Sequence, residues 1–391
     1  MILRLLLLLT FASWVYWLVA LRLMHDFMEP SADPAKAFTP PVSVLKPVKG
    51  VDFEAYVNFA SFCEQDYPEY ELLFGVADPD DPVIPIIRRL QHDYPGREIR
   101  LIVVPAEGAN RKASLLHHLS EQARYDYLVA SDSDMRVGPD YLRRTIAPLA
   151  DLSVGLVTSP YRGQSPLTLT AKLEALYMSA TFMPSAVVGL HVPGMGFALG
   201  ASVALRRRDL ERIGGYAALT DYLADDYQIG ARIAALGLRV HLSNYIVSCV
   251  LGSTSFKEQW DREVRWARCT RVSRPIEYPG LWLTFSTPLA VLYAIAAGLD
   301  HTWFVVLAAS LLLRWLVGWG IAMYTADREL PRLLIWLPVR DMLSALVWFN
   351  GLIGQHVVWR GETYAVLPGG KLRPVADTLA EPAKHGAGGR P

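Results

Sequence analysis

Apolar residues run almost without interruption at the two ends of the chain and in short, punctuated bursts through its middle. From Met1 to Leu21 the run MILRLLLLLTFASWVYWLVAL matches the ~20 residues a helix needs to cross a bilayer. A secretory signal is also apolar, but this run is long and no small-x-small cleavage site follows it, so an uncleaved anchor over residues 1–24 is expected. Leu281 to Leu299 and Thr302 to Tyr324 are two more spanning candidates, with Trp282, Trp303 and Trp319 placed for the membrane interfaces. A last apolar stretch, Leu333 to Trp359, is interrupted by Pro338, Arg340 and Asp341. Keeping charge out of lipid lays Leu333 to Val339 along the interface and starts the helix proper after Asp341, closing a C-terminal membrane region over 281–359.

Between the ends the hydrophobic period alternates. VSVLKP, Val42 to Pro47, reads as a strand, and FEAYVNFASFCEQ after it carries helix-spaced apolar residues stopped by the turn signal DYP. Tyr70 to Ala77 is the next strand; Pro82 then starts a helix that must hold Pro85 within its first turn. Ile99 to Pro105 is a third strand, RKASLLHHLSEQA a helix, and YDYLVAS a fourth strand. Strand-helix-strand repeats at this spacing predict right-handed crossovers and a mostly parallel α/β sheet over a domain spanning residues 25–280.

Charge adds orientation. Arg22, Lys36, Lys46 and Lys49 follow the first span, Asp300 and His301 alone separate the second from the third, and Arg328 and Arg332 follow the third. By the positive-inside rule the 25–280 segment faces the cytoplasm. The tail over 360–391 carries Arg360, Lys371 and Arg373, which also prefer the cytoplasm; this conflicts with one clean final crossing and leaves its side open. Its Gly/Ala/Pro-rich end after Glu381 reads as disordered. A formal net charge of zero over 391 residues points to no nucleic-acid partner. Cys63, Cys249 and Cys269 lack metal-type spacing and cannot all pair, which fits structural thiols in a reducing compartment.

Ligands of parallel sheets bind beyond the carboxyl ends of strands, and two such ends here are acidic: Asp78, Asp80 and Asp81, and then Asp132 and Asp134 in LVASDSDMRV. Two carboxylates one residue apart can hold a hard divalent ion that neutralises a diphosphate, or they can simply shape a turn. Asp225 and Asp226 open a helical pattern that Gly237 closes; one acid could cap that helix while the other takes a proton from an attacking alcohol. In FKEQWDREVRWARCTRVSR, Arg262 and Arg265 share a helical face beside Trp266, a pattern suited to phosphate. The same helix, near 256–275, precedes a membrane span and reads as interfacial, with Arg271 and Arg274 toward lipid head groups.

Together, Asp80-Asp81-Pro82, Asp132-Ser133-Asp134, Asp225-Asp226-Tyr227 and Arg262-x-x-Arg265-Trp266 resemble the D, DxD, D, (Q/R)xxRW signature of membrane-bound glycosyltransferases of families 2 and 21. The stretches LKPVKGVD, EQDYPEYELLFGVADPDDP and LADDYQIGARIAALG are similar to the ceramide glucosyltransferase family in particular, and within it to the bacterial members that act in hopanoid biosynthesis. The resemblance covers roughly Val42 to Arg274.

It implies a GT-A fold, Rossmann-like, and inverting transfer of glucose or N-acetylglucosamine from a UDP-sugar to a membrane-lipid hydroxyl, with Mg²⁺ or Mn²⁺ as cofactor, at a bacterial inner membrane. By the same resemblance Asp80 and Asp81, with Asp78, contact uridine; Asn110 and Lys112 contact the nucleotide; Asp132 and Asp134 face the metal and diphosphate. Asp226 is the base, with Asp225 its less favoured neighbour; Arg262, Arg265 and Trp266 hold the diphosphate, and Gly194 to Ser202 line the sugar and acceptor pocket. Animal ceramide enzymes carry a histidine in the segment matching Thr181 to Val188 and this chain has none, which favours a hopanoid polyol such as bacteriohopanetetrol over ceramide. Two rival readings are a processive polysaccharide synthase, which needs a translocation channel that three or four spans hardly supply, and a membrane scaffold, which need not retain every acid and both arginines. Oligomeric state is not written in these patterns.

Overall fold

The computed structural model describes residues 1–29, 38–191, 196–298, 301–359 and 362–375. Helix α1 (Ile2–Met28) leads into β1 (Val42–Val48), α2 (Ala55–Cys63), β2 (Tyr70–Val76), α3 (Ile84–Asp93), β3 (Glu98–Val103), α4 (Arg111–Gln122) and β4 (Tyr127–Ser131). Then come β5 (Met135–Arg136), α5 (Tyr141–Ile146), β6 (Val154–Thr158), β7 (Tyr161–Pro166), α6 (Leu169–Tyr177), α7 (Met183–Gly189), β8 (Ser202–Arg206) and α8 (Arg207–Arg212). The domain closes with α9 (Asp225–Ala235), β9 (Arg239–Leu242), β10 (Val247–Gly252) and α10 (Phe256–Ser273). The C-terminal part holds α11 (Ser286–Ala296), α12 (His301–Tyr324), α13 (Leu330–Leu333), α14 (Leu337–Leu352), β11 (His356–Trp359), β12 (Glu362–Val366) and β13 (Leu372–Pro374).

Local chemistry explains the elements that position the site. Every residue of β1 and β2 is buried, as for strands covered on both faces. Pro85 sits in the first turn of α3, where a missing N–H costs nothing. Asn110 caps α4 by accepting from the Ala113 N–H at 3.0 Å. Ser255 and Glu258 form a capping box that starts α10.

The main sheet has seven strands in the order β3-β2-β1-β4-β8-β6-β9. It is parallel except at β8, which runs antiparallel to both neighbours. Ser131 at the end of β4 faces Ser202 at the start of β8, so the 200–202 segment lies beside Asp132. A second, three-stranded sheet has the order β5-β10-β7.

Helix α1 buries the stripe Thr10, Ser13, Trp17, Ala20 and Met24 and runs past its expected boundary at 24. Ser13 donates to the Leu283 carbonyl at 2.6 Å and the Trp14 indole to Ser310 at 2.8 Å, tying α1 to the C-terminal helices. Ile2–Met28, His301–Tyr324 and Leu330–Leu352 are long and apolar enough to cross a membrane, and the pair Tyr278–Thr284 and Ser286–Ala296 passes the same test jointly.

Four expectations need correction. The 281–299 stretch is no straight span: it bends by 77° at Phe285, and Leu299 and Asp300 lie outside the described residues. The last helix begins at Leu337 rather than after Asp341, because both interrupting charges are neutralised by partners inside the protein. Arg340 pairs with Glu263 of α10 at 2.7 Å, and Asp341 pairs with Arg314 of α12 at 3.0 Å while accepting from Thr287 at 2.8 Å. The last span stops at Leu352 rather than running to Trp359: β11, β12 and β13 follow and form an antiparallel sheet that packs back on the α/β domain through Leu223, Val357, Tyr364, Val366 and Leu372. The segment after Glu381 lies outside the described residues. Finally, Lys46, counted above as a loop charge, is buried in β1, and Lys36 lies outside the described residues.

Candidate active site

Asp132 leaves β4 at the carboxyl edge of the sheet. Lys46 from β1 donates to its carbonyl at 2.7 Å, and Lys112 from the first turn of α4 reaches its carboxylate at 2.5 Å. Lys46 also lies over the Phe62 ring, 3.6 Å from its centroid. Burial pulls Lys46 down to about 7, against the upward pull of Asp132, Asp134 and Asp52. Ser133, between the two acids, donates to Asp52 at 2.5 Å.

Asp134 turns inward, where its carboxylate accepts from the Cys249 thiol at 3.5 Å. Burial, then the charges of Asp132 and Asp52, push it up to about 6. The charge of Asp132 opposes ionisation of Asp134, and both offer carboxylate oxygens, the ligand atoms a hard divalent cation takes.

Across the cleft, Asp225 and Asp226 are the first two residues of α9. Neither caps it, since the cap position is Ala224 and no side chain serves there. Asn110 donates to Asp225 at 3.1 Å and to the Tyr222 carbonyl at 2.9 Å. Asp226 accepts from the Tyr227 N–H at 2.7 Å. Burial and Asp225 push its carboxyl up to about 6, with Lys112 opposing. Lys112 donates to the Gly200 carbonyl at 3.1 Å; burial disfavours its charge, but Asp132, Asp225 and Asp226 more than reverse this and hold it above its ordinary range. The approach is tight: a Cβ on Gly200 would stand 3.0 Å from the Asp226 carboxylate, and one on Gly230 only 2.4 Å from the Ala198 nitrogen.

Arg262 and Arg265 sit on one continuous helix, α10, as the spacing predicts. Arg262 is paired with the buried Glu174 of α6 at 2.9 Å. Burial raises Glu174 to about 7 while Arg262 holds it down. Arg265 lies one turn further and opposes the upward push of burial on the Cys269 thiol. Trp266 packs on the core cluster that contains Met135 and Cys249. Arg271 and Arg274 have protein partners: Arg271 donates to the Leu352 and Gly354 carbonyls, and Arg274 pairs with Glu277 at 3.1 Å.

After β2, Asp78 and Asp80 are exposed, and Asp78 accepts from the Asp80 N–H at 2.9 Å. Asp81 is buried and spends its carboxylate on the N–H groups of Gly50 and Val83, both at 2.9 Å. Of the 194–202 segment, Gly194 and Met195 lie outside the described residues, while Gly200 stands beside Asp226. Sequence reasoning missed Lys46, Asp52, Glu174 and Cys249 as neighbours of the site. A lysine inside the apolar run VSVLKP and a lone glutamate in LEALY were the available signals.

The fold is the GT-A architecture of nucleotide-sugar transferases. The family model of glycosyl transferase family 21 matches residues 5–372, and the chain belongs to that family. Ceramide glucosyltransferase 3 of Caenorhabditis elegans is 24% identical over 365 residues, covering 90% of this chain and 77% of the relative. A Candida albicans ceramide glucosyltransferase is 31% identical over 122 residues, 28% of this chain and 22% of the relative. The same fold occurs in the solved mannosyltransferase PcManGT of Pyrobaculum calidifontis, in complex with GDP-Man and Mn²⁺, at 20% identity and a TM-score of 0.53, covering 88% of this chain and 99% of that one.

Proposed function

We propose that this protein moves glucose or N-acetylglucosamine, with inversion, from a UDP-sugar to the hydroxyl of a membrane lipid at the cytoplasmic face of a bacterial inner membrane. The acceptor is a hopanoid polyol such as bacteriohopanetetrol, with ceramide as the alternative that the relatives favour. The observation that carries the reading is Lys112, which draws the acids after β4 and the acids opening α9 into one cleft. That cleft belongs to a domain packed against membrane-type helices, which suits a soluble donor and a lipid acceptor.

Asp78 and Asp80 contact the uridine, while Asp81 holds the Gly50 loop in place. Asn110 and Lys112 fix the nucleotide side of the cleft. Asp132 and Asp134 would hold Mg²⁺ or Mn²⁺, which when bound neutralises charge on the diphosphate. Arg262, Arg265 and Trp266 approach the diphosphate from α10, with Glu174 orienting Arg262. Asp226, ionised at neutral pH with its carboxyl at about 6, takes the proton of the attacking hydroxyl. Asp225, tied to Asn110, keeps the start of α9 in register.

The test is UDP release by the detergent-purified protein with UDP-glucose, UDP-N-acetylglucosamine or UDP-galactose against bacteriohopanetetrol, ceramide or diacylglycerol, each with and without Mg²⁺ or Mn²⁺. Metal-dependent release with bacteriohopanetetrol supports the reading. Release with ceramide alone replaces the acceptor, and release with no lipid in the set overturns the assignment.

A further inference from the structure

The strands β11 to β13 have no place in the order of the main sheet, yet they touch the segments that carry the candidate site. Leu372 donates its N–H to the Asp221 carbonyl at 2.7 Å and Leu223 donates to the Gly370 carbonyl at 2.9 Å, while Tyr222 and Lys371 form an antiparallel bridge. Gln228, one turn into α9, donates to the Gly369 carbonyl at 3.3 Å. Arg111, the neighbour of Lys112, pairs with Glu362 at 3.0 Å. On the other side Arg271 of α10 donates to the Gly354 carbonyl at 2.7 Å and Arg268 to the His356 carbonyl. The entry to α9 has no side-chain cap of its own; these backbone bonds, Asn110, and the Ala198 N–H donating to the Asp226 carbonyl at 3.3 Å hold it.

We propose that the C-terminal sheet is a positioning element for sugar transfer: Asp221 to Leu223 dock on it as an added strand, which sets Asp226 against Gly200 and Lys112. The proposal rests on reading Asp226 as the base. A displacement of about 1 Å at a catalytic group is worth about 100-fold in rate, so a loosened strand depresses turnover without removing any contact to the donor.

Leu372→Pro deletes the N–H that bonds Asp221. Lys371, at φ −69° and ψ 142°, already has the backbone a following proline requires, and the first position of a strand tolerates one. Leu372→Met keeps both the donor and the volume. Gly370→Ala strains a backbone at φ +83° where a Cβ meets nothing closer than Val272 at 3.7 Å. Each is measured for kcat, KM for the UDP-sugar, UDP binding and thermal unfolding, beside Asp226→Asn. Leu372→Pro and Gly370→Ala are expected to lose kcat, the former by about 100-fold, with UDP binding kept, while Leu372→Met stays near wild type. The proposal is overturned if neither strained variant separates kcat from UDP binding, whether because turnover is retained or because turnover, binding and stability fall together. Normal turnover by Asp226→Asn would instead remove the base assignment on which the proposal stands.

Discussion

Lys112 lies 2.5 Å from the Asp132 carboxylate and within the field of Asp225 and Asp226, so one ammonium links the acid after β4 to the acids at the start of α9. Replacing it by methionine keeps the stem and removes the charge. Lys112 holds the Asp226 carboxyl down, so its loss drives that carboxyl higher than about 6 and moves the acid limb of the rate profile to higher pH. Lys112→Met should lose about 100-fold in kcat/KM at neutral pH; an unshifted acid limb would show that the link has no catalytic weight.

The base assignment makes its own pH prediction. Asp226 must be ionised to accept a proton, so the wild-type rate should rise with pH through about 6 and then level. Asp226→Asn should lower kcat by about 1,000-fold while UDP affinity, read by calorimetry, stays the same. Near-normal turnover in that variant would assign the base elsewhere.

Arg340 and Glu263 form a buried pair at 2.7 Å that joins α14 to α10. Removing one partner leaves a stranded charge, so Arg340→Met should cost about 3–5 kcal/mol of stability, whereas Arg340→Met with Glu263→Met should recover part of it. Thermal unfolding in detergent measures both; equal destabilisation by the single and double variants would contradict the pairing argument.

Topology follows from the C-terminal sheet. Because β11 to β13 pack on the domain that α1 enters, the chain between that domain and β11 must cross the membrane an even number of times. Reporter fusions placed after residue 375 should therefore report the same side as insertions in the exposed Asp78–Asp80 loop; opposite sides would refute this path.

Much of this was legible in the residues. The strand-helix alternation, the acids at two strand ends and the arginine pair on one helix follow from local periodicity and spacing, which are properties of neighbouring residues. What stayed hidden depends on distant partners. Arg340 and Asp341 look like helix breakers in lipid until Glu263 and Arg314 stand opposite them. Lys46 reads as a loop charge until Asp132 and Phe62 enclose it. The strands after Gln355 are short and carry no strong alternation, and their stability comes from Leu223 and the edge of the Asp221 segment.

The most direct test of the central claim is the anomeric configuration of the lipid product, read by proton NMR after incubation with UDP-α-glucose or UDP-α-N-acetylglucosamine, divalent metal and bacteriohopanetetrol. Single displacement assisted by Asp226 predicts one sugar per lipid in β linkage. An α-linked product, a polymer, or free sugar with unchanged lipid would contradict it.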